Sequence, residues 1–152
     1  MHDAILFISD EPADIDISTD FMSPEDIGMG GIADYIGEKL SIPETIAGVK
    51  VNSDGSFVLT RQDIEAFFRR RFDELKRMVS ELSLTHFCSD DLYNIKYTIE
   101  QRYETYTVLI TEPDNDNYFA DTLDSFLRKA YAHCGENESK TFYIVSAVDY
   151  HW

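Results

Sequence analysis

One helical pattern constrains the fold of this chain more than any other feature of its sequence. Seven apolar residues recur mostly three or four positions apart, which places them along one side of a helix: Ile64, Phe67, Phe68, Phe72, Leu75, Val79 and Leu82. Thr60 precedes the pattern and Asp63 stands three residues later, a variant of the capping box that starts helices. The sequence therefore predicts a helix that begins after Thr60, ends near Ser83 and buries its apolar side against a second layer.

Short apolar runs near both ends of the chain predict that this second layer is a β-sheet. Residues 4–9 form one such run, which is typical of a buried strand. Residues 141–148 are apolar on both faces of the strand that they would form. We therefore expect the last strand to lie at the centre of the sheet.

Two hairpins are predicted between these ends. An Asp-Gly pair joins the runs 46–51 and 56–60, and such a pair is the strongest short-range hairpin signal. Residues 93–100 alternate between apolar and polar side chains, and a second β-rich run follows at 103–111. We expect the last two runs to pair in an antiparallel hairpin with one solvated face.

Two further helices complete the predicted set. Apolar residues have helical spacing over residues 32–40, and Pro43 ends that segment. The same spacing recurs over residues 119–130, with Gly135 placed to follow the helix end. Candidate N-caps are Ser23 or Asp26 for the first helix and Asp116 or Asn117 for the second.

The order of these elements is β, α, ββ, α, ββ, α, β, in which hairpins outnumber βαβ units. The order predicts an α+β fold with a mainly antiparallel sheet of about five to six strands and about three helices packed on one face. The chain has 152 residues, of which 43 % are hydrophobic, and this suits one compact domain over residues 1–152.

The net charge of the chain limits the classes of partner that it is expected to bind. The net charge is −16, from 29 acidic and 13 basic residues. Such a surface repels the phosphates of nucleic acids and of anionic membranes, so we expect direct binding to neither, and attraction to a basic protein instead. We expect the consecutive arginines 69–71 to pair with the chain's own acids rather than with RNA. The absence of a signal-like or membrane-spanning apolar run predicts a soluble cytoplasmic protein.

Residues 28–33 fit the glycine string of a dinucleotide-binding turn, but their context does not. No strand leads into the glycines, and Glu25 and Asp26 would repel a phosphate at that place. The glycines are therefore interpreted as a helix start or as a flexible turn whose small residues allow close packing, and no cofactor is predicted.

Two His and Cys pairs raise the question of a metal site. His86 and Cys88 follow the long helix, and His133 and Cys134 follow the last one. Adjacent residues such as the second pair do not have the spacing of paired zinc ligands. We therefore predict no metal site, no disulfide framework and no Cys–His catalytic pair.

The acidic stretch from residue 114 has part of the pattern of a calcium-binding loop. Its sixth position is Phe119 rather than glycine, and its twelfth is Ser125 rather than glutamate, so the EF-hand interpretation fails. No catalytic residue can be assigned from the sequence.

The charge and the lack of a recognisable site lead to one preferred hypothesis. We expect an acidic, non-enzymatic inhibitor that docks on a basic, nucleic-acid-binding partner, with carboxylates standing in for phosphates. Anti-CRISPR, anti-restriction and nuclease-immunity proteins act in this way. The residues expected to bind the partner are Asp10, Glu11, Asp14, Asp16, Asp20, Glu25, Asp26, Glu112, Asp114, Asp116, Asp121 and Asp124.

Two alternatives remain open. The first is a small metal-dependent enzyme that uses carboxylates of the two acidic stretches, Asp10, Asp14, Asp16, Asp114 and Asp116. The second is a structural or interaction subunit that forms homodimers or larger assemblies through its tyrosine-rich strands.

Overall fold

The computed structural model describes residues 2–12, 23–25, 35–100, 107–111 and 118–151. Four helices lie within this part: α1 (Arg61–Ser80), α2 (Leu84–Cys88), α3 (Tyr93–Glu100) and α4 (Leu123–His133). Its strands are β1 (His2–Ser9), β2 (Tyr35–Lys39), β3 (Thr45–Ile46), β4 (Val49–Lys50), β5 (Ser56–Thr60), β6 (Thr107–Thr111), β7 (Tyr118–Thr122) and β8 (Ser139–His151). The predicted α+β class is confirmed.

A six-stranded sheet organises the fold around β8. The strand order is β2-β8-β1-β6-β7, and β5 also pairs with β8, over Ser139 to Tyr143. The contacts of β8 with β1, β2 and β5 are antiparallel, as is the pair β6–β7, whereas β1 and β6 run parallel. The sheet is mainly antiparallel with a central last strand, as predicted.

Both faces of the two central strands are buried. Leu6 and Ile8 of β1 belong to the core that the helices cover, together with Ile144 and Ala147 of β8. Ile5 and Phe7 point to the opposite face and are also fully buried. The pairing of β1 with β8 shifts between Phe7 and Ile8. This shift explains why Ile144 and Ala147, which are three residues apart in β8, lie on the same face of the sheet.

Helix α1 starts as its sequence predicts. The Thr60 hydroxyl accepts a hydrogen bond from the Asp63 amide at 3.2 Å, and the Asp63 carboxylate accepts one from the Thr60 amide at 2.9 Å. The apolar stripe packs on the core through Ile64, Phe67 and Phe68. Farther along the helix, apolar residues of the same stripe are exposed, so α1 carries a surface that the described residues leave uncovered.

The segment 35–39 is a strand, so the helix predicted there is wrong. Ile36 pairs with Tyr150 of β8, and a glycine in mid-segment weakens a helix by about 1 kcal/mol relative to alanine. In the strand, Gly37 lies close to Asp149, whose carboxylate would be 3.1 Å from an added Cβ atom. The start of the predicted helix, residues 26–34, lies outside the described residues.

The segment 93–100 is helix α3, so the strand and hairpin predicted there are also wrong. The intended partner strand β6 pairs with β1 and β7 instead. In the helix, Tyr93 and Tyr97 lie one turn apart and stack at 6.0 Å, while Thr98 is buried beside Met78 of α1. Alternating apolar residues can satisfy both geometries when a helix contacts its neighbour on one side only.

The last helix begins later than predicted. Residues 118–122 form β7, and the N-cap is Thr122, whose hydroxyl accepts a hydrogen bond from the Ser125 amide at 3.2 Å. Asp116 and Asn117, the predicted caps, lie outside the described residues. The apolar residues of 119–122 follow the sheet because β7 finds a partner in β6.

The Asp-Gly pair marks a turn, but not the predicted hairpin. Strands β3 and β4 pair only with each other among the described strands, and β5 pairs with β8. Gly55 has a φ of +80°, and a Cβ atom there would lie 2.4 Å from the carbonyl oxygen of Ile144. The turn therefore needs glycine for both its backbone conformation and its close approach to β8.

Candidate functional site

The parallel pair of β1 and β6 ends both strands at one edge of the sheet, and an acidic stretch follows each strand in the sequence. Ile8 pairs with Ile110, so Ser9 and Thr111, the last residues of these strands, lie at the same edge of the sheet. The stretches 10–20 and 112–116 follow directly in sequence and hold five and three carboxylates, with no lysine or arginine. We call the sheet edge at these strand ends the acidic edge.

Two predicted partner-binding residues of the first stretch are described at this edge. Asp10 and Glu11 are exposed, and the Glu11 amide donates a hydrogen bond to the Ser9 hydroxyl at 3.1 Å. Neither carboxylate belongs to an ion pair among the described residues. Both charges are therefore accessible to a partner.

Eight of the other ten predicted partner-binding residues fall into two groups. Glu25 is exposed in the short described segment 23–25. Seven more lie outside the described residues: Asp14, Asp16, Asp20, Asp26, Glu112, Asp114 and Asp116. Their role in binding stays a prediction.

Asp121 and Asp124 have basic partners within the chain. The Asp121 carboxylate accepts hydrogen bonds from the Lys129 ammonium at 2.6 Å and from the Thr122 amide at 2.9 Å. Asp124 lies 2.5 Å from the guanidinium of Arg71, with side-chain exposures of 14 % and 6 % respectively. The first contact ties the end of β7 to the second turn of α4, and the second attaches α4 to α1, so these two carboxylates are already engaged.

The three consecutive arginines of α1, residues 69–71, differ in their burial. Arg71 is buried and forms the ion pair with Asp124, which agrees with the expectation of internal pairing. Arg69 and Arg70 are exposed and take part in no ion pair among the described residues. Consecutive helix positions lie about 100° apart, so the three side chains cannot share one environment.

A hydrogen-bonded network also joins the same two helices near the start of α1. Arg61 donates to the Tyr131 hydroxyl oxygen at 2.8 Å, and that hydroxyl donates to Glu65 at 2.9 Å. The hydrogen bond to Tyr131 is the largest cause that raises the pKa of Arg61, and its guanidinium also lies 4.2 Å from the centre of the Tyr131 ring. Sequence reasoning missed this network because its members are 66 and 70 residues apart.

The His and Cys pairs have no metal-binding partners in the described part of the chain. Cys88 is exposed, whereas Cys134 is buried and its thiol donates to the Glu138 carbonyl oxygen at 3.1 Å. No group of three His, Cys, Asp or Glu side chains within the described ranges is arranged to hold a metal ion. The glycine string 28–33 lies outside those ranges.

Comparisons of the chain with protein-family models, with curated proteins and with solved structures find no match in any of the three. None of the helices in the described residues has the length and apolar character needed to cross a membrane.

Proposed function

We propose that this protein is a cytoplasmic inhibitor whose acidic edge docks on a basic, nucleic-acid-binding partner. The observation that carries the proposal is the parallel pairing of β1 with β6, because it starts both acid-rich stretches from one edge of the sheet. Asp10 and Glu11 are exposed there without an ion-pair partner among the described residues.

Both the negative sign and the large magnitude of the net charge support this proposal. A chain of charge −16 accelerates encounter with a basic protein and repels competing nucleic acid. A row of carboxylates presents negative charges like those of the phosphates in nucleic acid. It can therefore occupy a basic groove that normally binds phosphates. Such binding weakens as salt screens the charges.

Capture of partners at two salt concentrations tests the proposal. The purified chain is immobilised and exposed to host lysate and to a panel of purified basic nucleases, with mass-spectrometric identification. We expect a basic nucleic-acid enzyme to be retained at low salt, released at high salt and displaced by double-stranded DNA. Capture of no such enzyme, or capture that is indifferent to both salt and DNA, would contradict the proposal.

A pair of double variants locates the binding surface. Asp10→Asn with Glu11→Gln removes two charges from the acidic edge, whereas Asp73→Asn with Glu74→Gln removes two charges from α1. Since both variants have the same net charge, only a local role of the edge predicts different binding. We expect the first variant to lose capture and the second to keep it.

The exposed carboxylates of Asp10 and Glu11 at the acidic edge favour one second candidate, a small metal-dependent enzyme. Carboxylates that share one edge also attract divalent cations such as Mg²⁺ or Mn²⁺. A ligand that binds the folded state raises the melting temperature. This candidate predicts that Mg²⁺ or Mn²⁺ raises the melting temperature of the wild type but not of the Asp10→Asn, Glu11→Gln variant.

A further inference from the structure

A second surface has the opposite chemistry to the acidic edge. An open groove of about 770 Å³ lies between α1, α3 and α4. Its apolar lining includes Phe68, Phe72 and Leu75 of α1. Three of its other lining residues are arginines, which is unusual in a chain with more than twice as many acids as bases: Arg69, Arg71 and Arg128.

The described residues neutralise the positive charge of this groove only in part. Arg71 is paired with Asp124, whereas Arg69 and Arg128 form no ion pair among the described residues. The acidic side chain among the described lining residues is Glu65, whose carboxylate accepts from Tyr131 and lies 3.6 Å from Arg61. The described lining of the groove therefore carries a net positive charge, although the chain as a whole is negative.

Aromatic contacts hold two of these guanidinium groups at the groove. The Arg128 guanidinium lies 4.7 Å from the centre of the Phe68 ring, and that of Arg71 lies 5.1 Å from the same centre. A guanidinium over an aromatic ring keeps its hydrogen-bond donors available at its edge and is already ordered before a ligand arrives. Arg128 is thus placed to receive a carboxylate.

Exposed apolar side chains extend this surface beyond the arginines. Phe72 of α1 and Ile99 of α3 line the groove and are each 55 % exposed. Val79 continues the same stripe of α1 about 10 Å farther along the helix, at 1.5 Å per residue, and is 52 % exposed. An apolar surface of this length with cations at its side fits an extended ligand better than a small molecule.

We propose that this groove binds an acidic, amphipathic peptide segment of a partner protein. The apolar side chains of the peptide pack on Phe68, Phe72 and Leu75, and its carboxylates pair with Arg69 and Arg128. The argument is one of charge complementarity on a surface distinct from the acidic edge, so it does not depend on the inhibitor function proposed above.

Binding of designed peptides to the full chain tests this proposal. Fluorescence anisotropy is measured with a labelled helical peptide that has leucine on one face and glutamate on the other. One comparison peptide replaces glutamate with glutamine, and another replaces leucine with serine. We expect only the leucine–glutamate peptide to bind, because the groove needs both apolar contact and negative charge.

Variants of the chain locate the binding to the groove. Arg69→Gln combined with Arg128→Gln should weaken the leucine–glutamate peptide roughly tenfold, since two charge pairs are removed. Arg70→Gln combined with Arg77→Gln is the matched control, because it also removes two positive charges and both side chains are exposed and outside the described lining of the groove. Phe72→Ser gives a second, uncharged probe at a side chain that is already more than half exposed. Circular-dichroism melting confirms that each variant is folded.

Three results would overturn the proposal. The first is absence of binding by the leucine–glutamate peptide, or binding that the groove variants do not change. The second is laurate binding that displaces the peptide and depends on Arg128, because a small amphipathic anion would then be the occupant. The third is a concentration-dependent dimer in sedimentation that the Arg69→Gln, Arg128→Gln variant abolishes, because the occupant would then be a second copy of this chain.

Discussion

The acidic edge and the contact between α1 and α4 both contain carboxylates, yet the two regions use them differently. At the contact, Asp124 meets the guanidinium of Arg71 in a nearly buried ion pair. At the edge, Asp10 and Glu11 are exposed and have no ion-pair partner among the described residues. Residues of the same type therefore form an ion pair within the fold in one region and are left exposed to solvent in the other.

The difference follows from which basic residues the fold brings near. An ion pair contributes to stability when it is ordered and shielded from water, because breaking a buried pair strands a charge. Exposed carboxylates contribute little to stability. They do change the rate at which the protein associates with charged molecules, over a Debye length of about 8 Å at physiological salt. Stability and binding measurements should therefore separate the two regions.

The largest expected loss of stability comes from the buried ion pair. Arg71→Ala should lower the free energy of unfolding by about 3 kcal/mol, because Asp124 is left with an unpaired charge. Urea unfolding of the two proteins measures the difference. The matched control is Arg77→Ala, which breaks an exposed pair with Glu81 and should cost at most about 0.5 kcal/mol. Equal losses would show that burial does not distinguish these pairs.

A smaller loss is expected at the start of α1, where another carboxylate acts within the fold. Asp63→Ala removes the hydrogen bond that the carboxylate accepts from the Thr60 amide. We expect the free energy of unfolding to fall by about 1 kcal/mol, the usual effect of losing a helix cap. Thermal and urea unfolding that match the wild type would contradict this role.

The turn at Asp54 predicts a weak pH dependence. Hydrogen bonds from the Ser56 hydroxyl and then from the Ser56 amide hold the pKa of Asp54 below its ordinary value of 3.8. The charged form thus favours folding at a pH above 3.8, and this contribution disappears as the pH falls through the lower pKa of the folded state. Asp54→Asn should be slightly less stable than the wild type at neutral pH, and the difference should vanish in strong acid.

The smallest effect on stability is expected at the acidic edge. Asp10→Asn with Glu11→Gln should leave the free energy of unfolding within about 0.5 kcal/mol of the wild type, since both side chains are exposed. Urea unfolding beside Arg71→Ala makes the comparison direct. A loss near that of Arg71→Ala would mean that these carboxylates have partners in the folded chain.

Local signals in the sequence predicted the elements whose geometry depends on neighbours in the chain. Thr60 and Asp63 form their capping box because all its atoms lie within four residues. The last strand is central because it has apolar residues for both faces of a sheet. The predictions were wrong for two segments whose sequences are compatible with both geometries. Residues 35–39 were predicted to be helical and form a strand, whereas residues 93–100 were predicted to be a strand and form a helix. Distant partners decided between the two geometries in both segments.

The candidate sites were predictable only in part for the same reason. The acidic stretches are visible in the sequence, but the parallel pairing of the strands that precede them joins residues about one hundred positions apart. The pair between Arg71 and Asp124 joins residues 53 positions apart, and the groove combines three helices. No local spacing rule indicates such contacts, so composition predicted the charge but not its arrangement.

The salt dependence of association rates tests the role of the acidic edge most directly. Rates are measured between the full chain and a panel of purified basic nucleic-acid enzymes over a range of ionic strength. At least one enzyme should associate rapidly and slow steeply as salt rises, with a shallower slope for Asp10→Asn, Glu11→Gln but not for Asp73→Asn, Glu74→Gln. Association with none of them, or equal slopes for both variants, would contradict a docking role for this edge.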